Sequence, residues 1–236
     1  MISLAILLPS LAIIAYLAIR EKTTSTPIYF STTSSIQKIQ LPDHTVVTLS
    51  KNSQIAYPKG FDGRLREVTL KGEGFFDVAR QPERPFIINT ESGNIKVVGT
   101  SFNVNAKDSQ LQVDVVEGKV LVYTQQDSAY LDPGFSATTA SNSKVDVAAS
   151  IDVNDWSYAT RKLVFKNTSL KKVFKHIEKT YPYSIEVQNR AIENCELTAT
   201  FDNIPIAEIM SMIGESLNLN VVLQENNYIV DGEGCR

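Results

Sequence analysis

The sequence predicts a mainly β protein followed by a smaller α+β unit, behind one apolar N-terminal helix. Three observations carry this. Residues 1–19 contain no charged side chain. Turn residues then recur about every 8–12 positions between 28 and 147, with no helical period surviving between them. Finally, a 25-residue pattern at 163–187 returns at 199–223, an offset of 36.

The first segment, MISLAILLPSLAIIAYLAI, is long enough to span about 28 Å as a helix, close to the hydrocarbon thickness of a bilayer. Arg20, Glu21 and Lys22 end it, and Pro9 is better tolerated in a membrane helix than in a soluble one. No basic n-region precedes it, and Ala15 and Ala18 have the wrong spacing for a cleavage site. A transmembrane helix over 1–20 is expected, with a cleaved signal peptide as the alternative; either one exports the remainder. An exported chain suits Cys195 and Cys235, whose bridging would close a loop of about 40 residues.

In the middle region, short apolar runs at 46–49, 55–57, 68–70, 75–78, 95–98, 102–104, 111–116, 120–123 and 145–147 read as strands. The punctuation between them includes Pro58-Lys59-Gly60, Gly72-Glu73-Gly74, Gly93-Asn94, Gly99, Gly118 and Pro133-Gly134. This rhythm predicts an antiparallel β-sandwich, jelly-roll-like, over 28–148; without a fixed repeat, a solenoid is disfavoured. Phe75-Phe76 places at least one ring in the core by alternation, and the mixed charges of 59–71 read as a solvated surface. Residues 149–160 read as a linker.

The C-terminal unit, 161–231, reads strand–helix–strand twice, then a last strand at 228–230. Leu170, Val173, Phe174, Ile177 and Tyr181 have the i, i+3, i+4, i+7, i+11 spacing of one helix face, and Ile206, Ile209, Met210, Ile213 and Leu217 repeat it. Thr168 or Ser169 is a suitable cap for the first helix, and Pro205 suits the first position of the second. Such a βαβ–βαβ–β unit leaves strand edges open to a partner, with Val164, Phe165, Val221, Leu223, Tyr228 and Val230 as candidate docking residues.

Composition excludes several functions. With 23 basic and 26 acidic residues the net charge is −3, against a nucleic-acid partner. The two histidines, His44 in a turn and His176 on the solvent side of the first C-terminal helix, have no metal-ligand spacing, and neither cysteine sits in a Cys-x-x-Cys pair. No hydrolase, Walker or dinucleotide motif occurs. No enzyme activity, metal or cofactor is expected.

The segments LPDHTVVTLSKNSQIAYP (41–58), REVTLKGEGFFDVARQPERPF (66–86), IKVVGTSFNVNA (95–106), VVEGKV (115–120) and LDPGFSA (131–137) resemble the exported part of FecR-type transmembrane anti-sigma regulators. Residues 155–231 resemble the C-terminal domain of the Bacteroidetes branch, related to the short signalling module of secretins and TonB-dependent receptors. Two motif positions depart from the family: Asp43-His44 stands for Asp-Gly, and Glu73-Gly74-Phe75-Phe76 for Glu-Ala-Phe-Phe. Members also carry a cytoplasmic, sigma-factor-binding segment before the membrane helix, whereas this sequence starts at the helix.

The resemblance implies a single-pass inner-membrane protein with its bulk in the periplasm. Its partner would be the signalling domain of an outer-membrane TonB-dependent transporter, with a sigma factor engaged only through the upstream segment. It also implies self-cleavage at Gly99–Thr100, where some relatives break a Gly-Thr bond through attack of the hydroxyl on the glycine carbonyl; a tight turn is the simpler reading. The alternative function is an anchored β-sandwich of the envelope that binds a glycan or peptide directly.

Overall fold

The computed structural model describes residues 26–140, 143–149 and 151–235. The expected transmembrane helix at 1–20 lies outside them; among the described residues no helix is long and apolar enough to cross a membrane.

Thirteen strands follow one another through the first domain: β1 (Ile28–Ser31), β2 (Gln37–Gln40), β3 (Val46–Leu49), β4 (Gln54–Tyr57), β5 (Arg66–Asp77), β6 (Phe86–Asn89), β7 (Asn94–Val97), β8 (Ser101–Lys107), β9 (Gln110–Glu117), β10 (Val120–Tyr123), β11 (Ser128–Leu131), β12 (Ser136–Ala140) and β13 (Asp146–Ala148). They form two arms that share β5. One arm runs β1-β4-β5-β6-β7-β10-β11, the other β2-β3-β5-β8-β9-β12-β13. The inward residues of both arms meet in one core, where the Phe76 ring lies between those of Phe86 and Phe102 at 6.3 and 5.6 Å.

The turn expected at Gly72-Glu73-Gly74 is instead the middle of β5. There the strand passes from one arm to the other: Thr69 to Lys71 pair with β4, and Gly74 to Asp77 pair with β3. Gly72 makes the passage at φ +90, and any Cβ on it would lie 2.6 Å from Ser53 Oγ, so glycine serves a crossing strand here. The sheet is also not wholly antiparallel, because β6 runs parallel to β5 from Arg66↔Phe86 to Thr69↔Asn89.

The charged stretch 59–71 is not all solvated surface. Arg66 is fully buried, with Nη1 donating to Asp43 Oδ2 at 2.7 Å and to the Ala79 carbonyl at 2.8 Å, and Nε donating to the Arg84 carbonyl at 2.8 Å. Its guanidinium lies 5.4 Å from the Phe86 ring centre. Asp43 also accepts from the Thr45 amide and hydroxyl, so both charges are paired and hydrogen-bonded, the condition for burying them.

Residues 149–160, expected as a linker, contain a 3-10 turn (Val153–Trp156) and one helical turn, α1 (Ser157–Thr160). Trp156, Ser157 and Tyr158 are buried. Beyond them come β14 (Lys162–Ser169), α2 (Leu170–Thr180), β15 (Ser184–Val187), β16 (Glu196–Asp202), α3 (Ile206–Leu217), β17 (Asn220–Gln224) and β18 (Asn227–Asp231). This is the expected element order. Pro205, however, is the residue before α3 rather than its first, and Ser169 precedes α2 without a side-chain cap bond.

The strands divide between two small sheets. β14 pairs antiparallel with β16, while β15 and β18 pair parallel and β18 forms a hairpin with β17. The internal repeat is visible as local geometry. Phe165 and Phe201, superposed by the 36-residue offset, pack edge to face at 6.3 Å. Asn167 and Asn203, likewise superposed, both turn with positive φ (46 and 53), a conformation asparagine tolerates better than most residues.

Candidate functional site

The outer face of the second arm should be wet, because β strands alternate. It is dry along one row. Cross-strand register sets Thr48 beside Phe75, Phe75 beside Asn103, Asn103 beside Asp114 and Asp114 beside Ser136. All of these are buried except Phe75, which is half-buried; its neighbour Phe76 is the ring in the core. The segment after the β domain meets the row at Asn103. The Tyr158 hydroxyl donates to Asn103 Oδ1 at 2.8 Å, and the Ser157 hydroxyl meets that of Thr180 at 2.6 Å, tying α1 to α2.

Beside this row lies Glu73, 2% exposed. Its carboxylate holds Lys107 from β8 at 3.1 Å and Lys179 from α2 at 2.7 Å. Lys51, in the β3–β4 turn, donates to the main-chain carbonyls of Glu178 and Tyr181 at 2.9 and 3.3 Å. The end of α2 presents such unpaired carbonyls and a partial negative charge. Between these contacts is a polar cleft of about 460 Å³, lined by Lys51, Glu73, Asn105, Asp155, His176 and Lys179 among others.

Burial in the seam shifts several ionisations. Desolvation raises Asp155 to about 6, against the opposing pull of Lys179. It also raises Asp114, partly offset by hydrogen bonds from Gln112, Ser136 and Asn103, and raises Tyr158 well above the usual phenol range. His176, expected in solvent, has a side chain only 13% exposed, with Nε2 3.6 Å from Asp152 Oδ2. Burial lowers its pKa, opposed by Asp152. Among the described residues, no group of His, Cys, Asp and Glu is arranged to hold a metal ion.

The six docking candidates have different environments. Phe165, Tyr228 and Val230 are core residues, because they occupy inward positions of β14 and the central strand β18. Val164 and Val221 are half-buried, and Leu223 is 47% exposed. The free edge of β14 is blocked at Val164, where the Asn154 side chain donates to its carbonyl at 2.8 Å and accepts from its amide at 2.7 Å, imitating a neighbouring strand. The Ile185 amide of β15 donates to Glu178 Oε1 at 2.8 Å. Among the described residues β17 pairs with β18 alone, and it exposes Val222 and Leu223.

Gly99 and Thr100 form the bend between β7 and β8, where the chain crosses between arms. Gly99 has φ +158, and a Cβ there would lie 2.6 Å from Arg80 Cα. Thr100 is buried, and its hydroxyl donates to the Lys119 carbonyl at 3.1 Å. Cys195 and Cys235 form a disulfide with Cα atoms 5.5 Å apart.

Comparison with known families decides how these parts belong together. The model described as FecR protein matches residues 28–121, and the one described as FecR, C-terminal, matches 162–230. Together they span more than half of the sequence. The chain belongs to the FecR family. Two solved structures of a candidate anti-sigma factor from Parabacteroides distasonis ATCC 8503 are similar to this FecR-family chain. One, at 2.50 Å resolution, is 25% identical with a TM-score of 0.63, covering 88% of this chain and 100% of its own. The other, at 1.65 Å, is 26% identical with a TM-score of 0.62, covering 86% and 98%. No curated protein matches the chain significantly. Within the FecR motif, His44 stands at φ +71, which is why glycine suits that position in other members.

Proposed function

We propose that this FecR-family protein is the exported, signal-receiving part of a membrane-anchored anti-sigma regulator of the inner membrane, with its bulk in the periplasm. Its C-terminal domain receives the signalling domain of an outer-membrane TonB-dependent transporter, and the consequence is control of an extracytoplasmic-function sigma factor. The observation that carries the reading is the two-part FecR match, in the order β domain then C-terminal domain, together with the likeness to the candidate anti-sigma factor. The uncharged run at 1–19 and the disulfide favour an anchored protein in an oxidising compartment. The open edge of β17, with Val222 and Leu223 exposed, is the place for strand addition by the partner.

Direct glycan or peptide sensing is the second reading; of the exposed aromatics, Tyr29 and Tyr130 sit on opposite edge strands of the first arm, and Phe135 lies between β11 and β12. Self-cleavage at Gly99–Thr100 would pass the glycyl carbonyl from the Thr100 nitrogen to its oxygen, with water then hydrolysing the ester. Cleavage would give two fragments from wild type and one intact band from Thr100→Ala; one band from both, as the tight-turn reading expects, refutes it. Docking is tested by co-precipitating transporter signalling domains with the full chain, where capture by wild type and loss with Leu223→Lys are expected.

A further inference from the structure

The β3–β4 turn, 50–53, touches three parts of the molecule. On the side of the C-terminal domain, Lys51 holds the Glu178 and Tyr181 carbonyls. Glu178 in turn accepts the Ile185 amide through its carboxylate, so the residue Lys51 grips is bonded to β15 of the three-stranded sheet. Toward β5, the Ser50 amide donates to the Glu73 carbonyl, and the Glu73 amide donates to Ser53 Oγ. The same Glu73 holds Lys179 of α2 through its side chain.

Toward the N-terminus, the turn encloses Thr32. Its hydroxyl donates to the Ser50 carbonyl at 2.6 Å, lies 3.1 Å from the Ser53 carbonyl and accepts from the Ser53 amide at 3.0 Å. The Thr32 amide donates to the Ser53 carbonyl and the Asn52 amide to the Thr33 carbonyl. Thr32 directly follows β1, which among the described residues is an edge strand paired with β4 alone, over four residues, Ile28↔Tyr57 to Ser31↔Gln54. A short edge strand is the part of a sheet that opens at least cost.

We propose that this turn is the junction through which occupation of the three-stranded sheet is transmitted to β1, the strand that leads back to the apolar N-terminal segment. This rests on the reading that a partner docks on that sheet. The bistable element is the seam. When α2 is seated, Lys51 and Glu73 find their partners on it and the turn is locked around Thr32. When docking shifts β15 and the end of α2, the contacts of Lys51 and Glu73 to α2 are lost together, and β1 keeps its four-residue ladder, the packing of Phe30 and the bonds of Thr32 and Thr33 to a turn no longer anchored on α2. Lys51, Glu73 and Lys179 are positioning residues in this scheme.

The test needs no partner, so its failure is distinct from a failure of docking. Amide hydrogen exchange is followed on the full chain in detergent, for wild type, Lys51→Met, Lys179→Met and, as a surface control, Lys59→Met. Losing one charge-assisted anchor is expected to speed exchange at 28–33 by about tenfold in the first two variants. Exchange at 102–104 and 163–165 stays at the wild-type rate, as does every segment of Lys59→Met. Lys51→Arg, which keeps a donor and the charge, shows a smaller increase than Lys51→Met. Unchanged exchange at 28–33, or an acceleration shared equally by 102–104, overturns the proposal.

Discussion

The two domains solve the same problem of closing a core by different means. The β domain is the larger, and it encloses an ion pair, Arg66 with Asp43, in which Nη1 and Nε of Arg66 are hydrogen-bonded within two arms that share one strand. The C-terminal domain has a smaller, apolar core and adds a covalent tie, the Cys195–Cys235 bond, whose 40-residue span encloses β16, α3, β17 and β18. A domain of that size has little surface to bury, and a crosslink compensates by restricting the unfolded chain. The difference teaches where each is vulnerable: the first to an uncompensated charge, the second to reduction.

The largest expected effect tests the first half of that contrast. Arg66→Ala leaves Asp43 buried without its cation and should cost about 3–5 kcal/mol of β-domain stability, read from the denaturant midpoint. Asp43→Ala should cost a similar amount and the double variant less than the sum, because the two act as a unit. A loss near zero for Arg66→Ala breaks the comparison. Next in size, replacing both Cys195 and Cys235 by Ser should cost about 2–4 kcal/mol. The loss belongs to the C-terminal domain, so hydrogen exchange in β8 and β9 should keep its wild-type rates.

A smaller effect sharpens the account of the seam between them. Asp155 has its pKa raised from 3.8 to about 6 by burial. The folded form therefore binds a proton more readily than the unfolded one between those values, and this group's contribution to stability is lost as pH rises through about 6. Asp155→Asn should then raise stability at pH 7 by about 1 kcal/mol, the full shift being reduced because the site is partly solvated. His176 works in the opposite sense, since its lowered pKa costs stability as pH falls below 6.5. The difference between the Asp155→Asn and wild-type pH profiles isolates the aspartate: equal slopes between pH 4 and 6 would remove it from the seam.

Much of the C-terminal domain was readable because its signals are local. The 36-residue offset pairs Phe165 with Phe201 and Asn167 with Asn203, and the structure gives each pair one role. In the β domain the local rule misled wherever the neighbour was distant. Gly72 looks like a turn, yet its purpose is a crossing strand against Ser53. Pro82 and Pro85 mark a loop and hide β6 behind it. Asn103 alternates as an outward residue, yet it is buried and bonded to Tyr158 of α1. Arg66 sits in a run of exposed charges and turns inward to Asp43. Nothing in sequence spacing brings Lys179 to Glu73 either, since that contact joins two domains.

The edges give the same lesson at the proposed docking surface. Asn154 covers β14 and Glu178 takes an amide of β15, while β17 keeps its outer side and two apolar residues uncovered. The most direct test of the proposed function is calorimetric titration of the full chain, in detergent, with the transporter signalling domains of its own organism. The account predicts that one of them binds wild type with a Kd of about 1 μM, a standard transient interaction. The Val222→Lys, Leu223→Lys double variant should lose that binding by about tenfold or more while unfolding at the wild-type midpoint. Binding that is indifferent to both substitutions, or no binding by any of these domains, contradicts it.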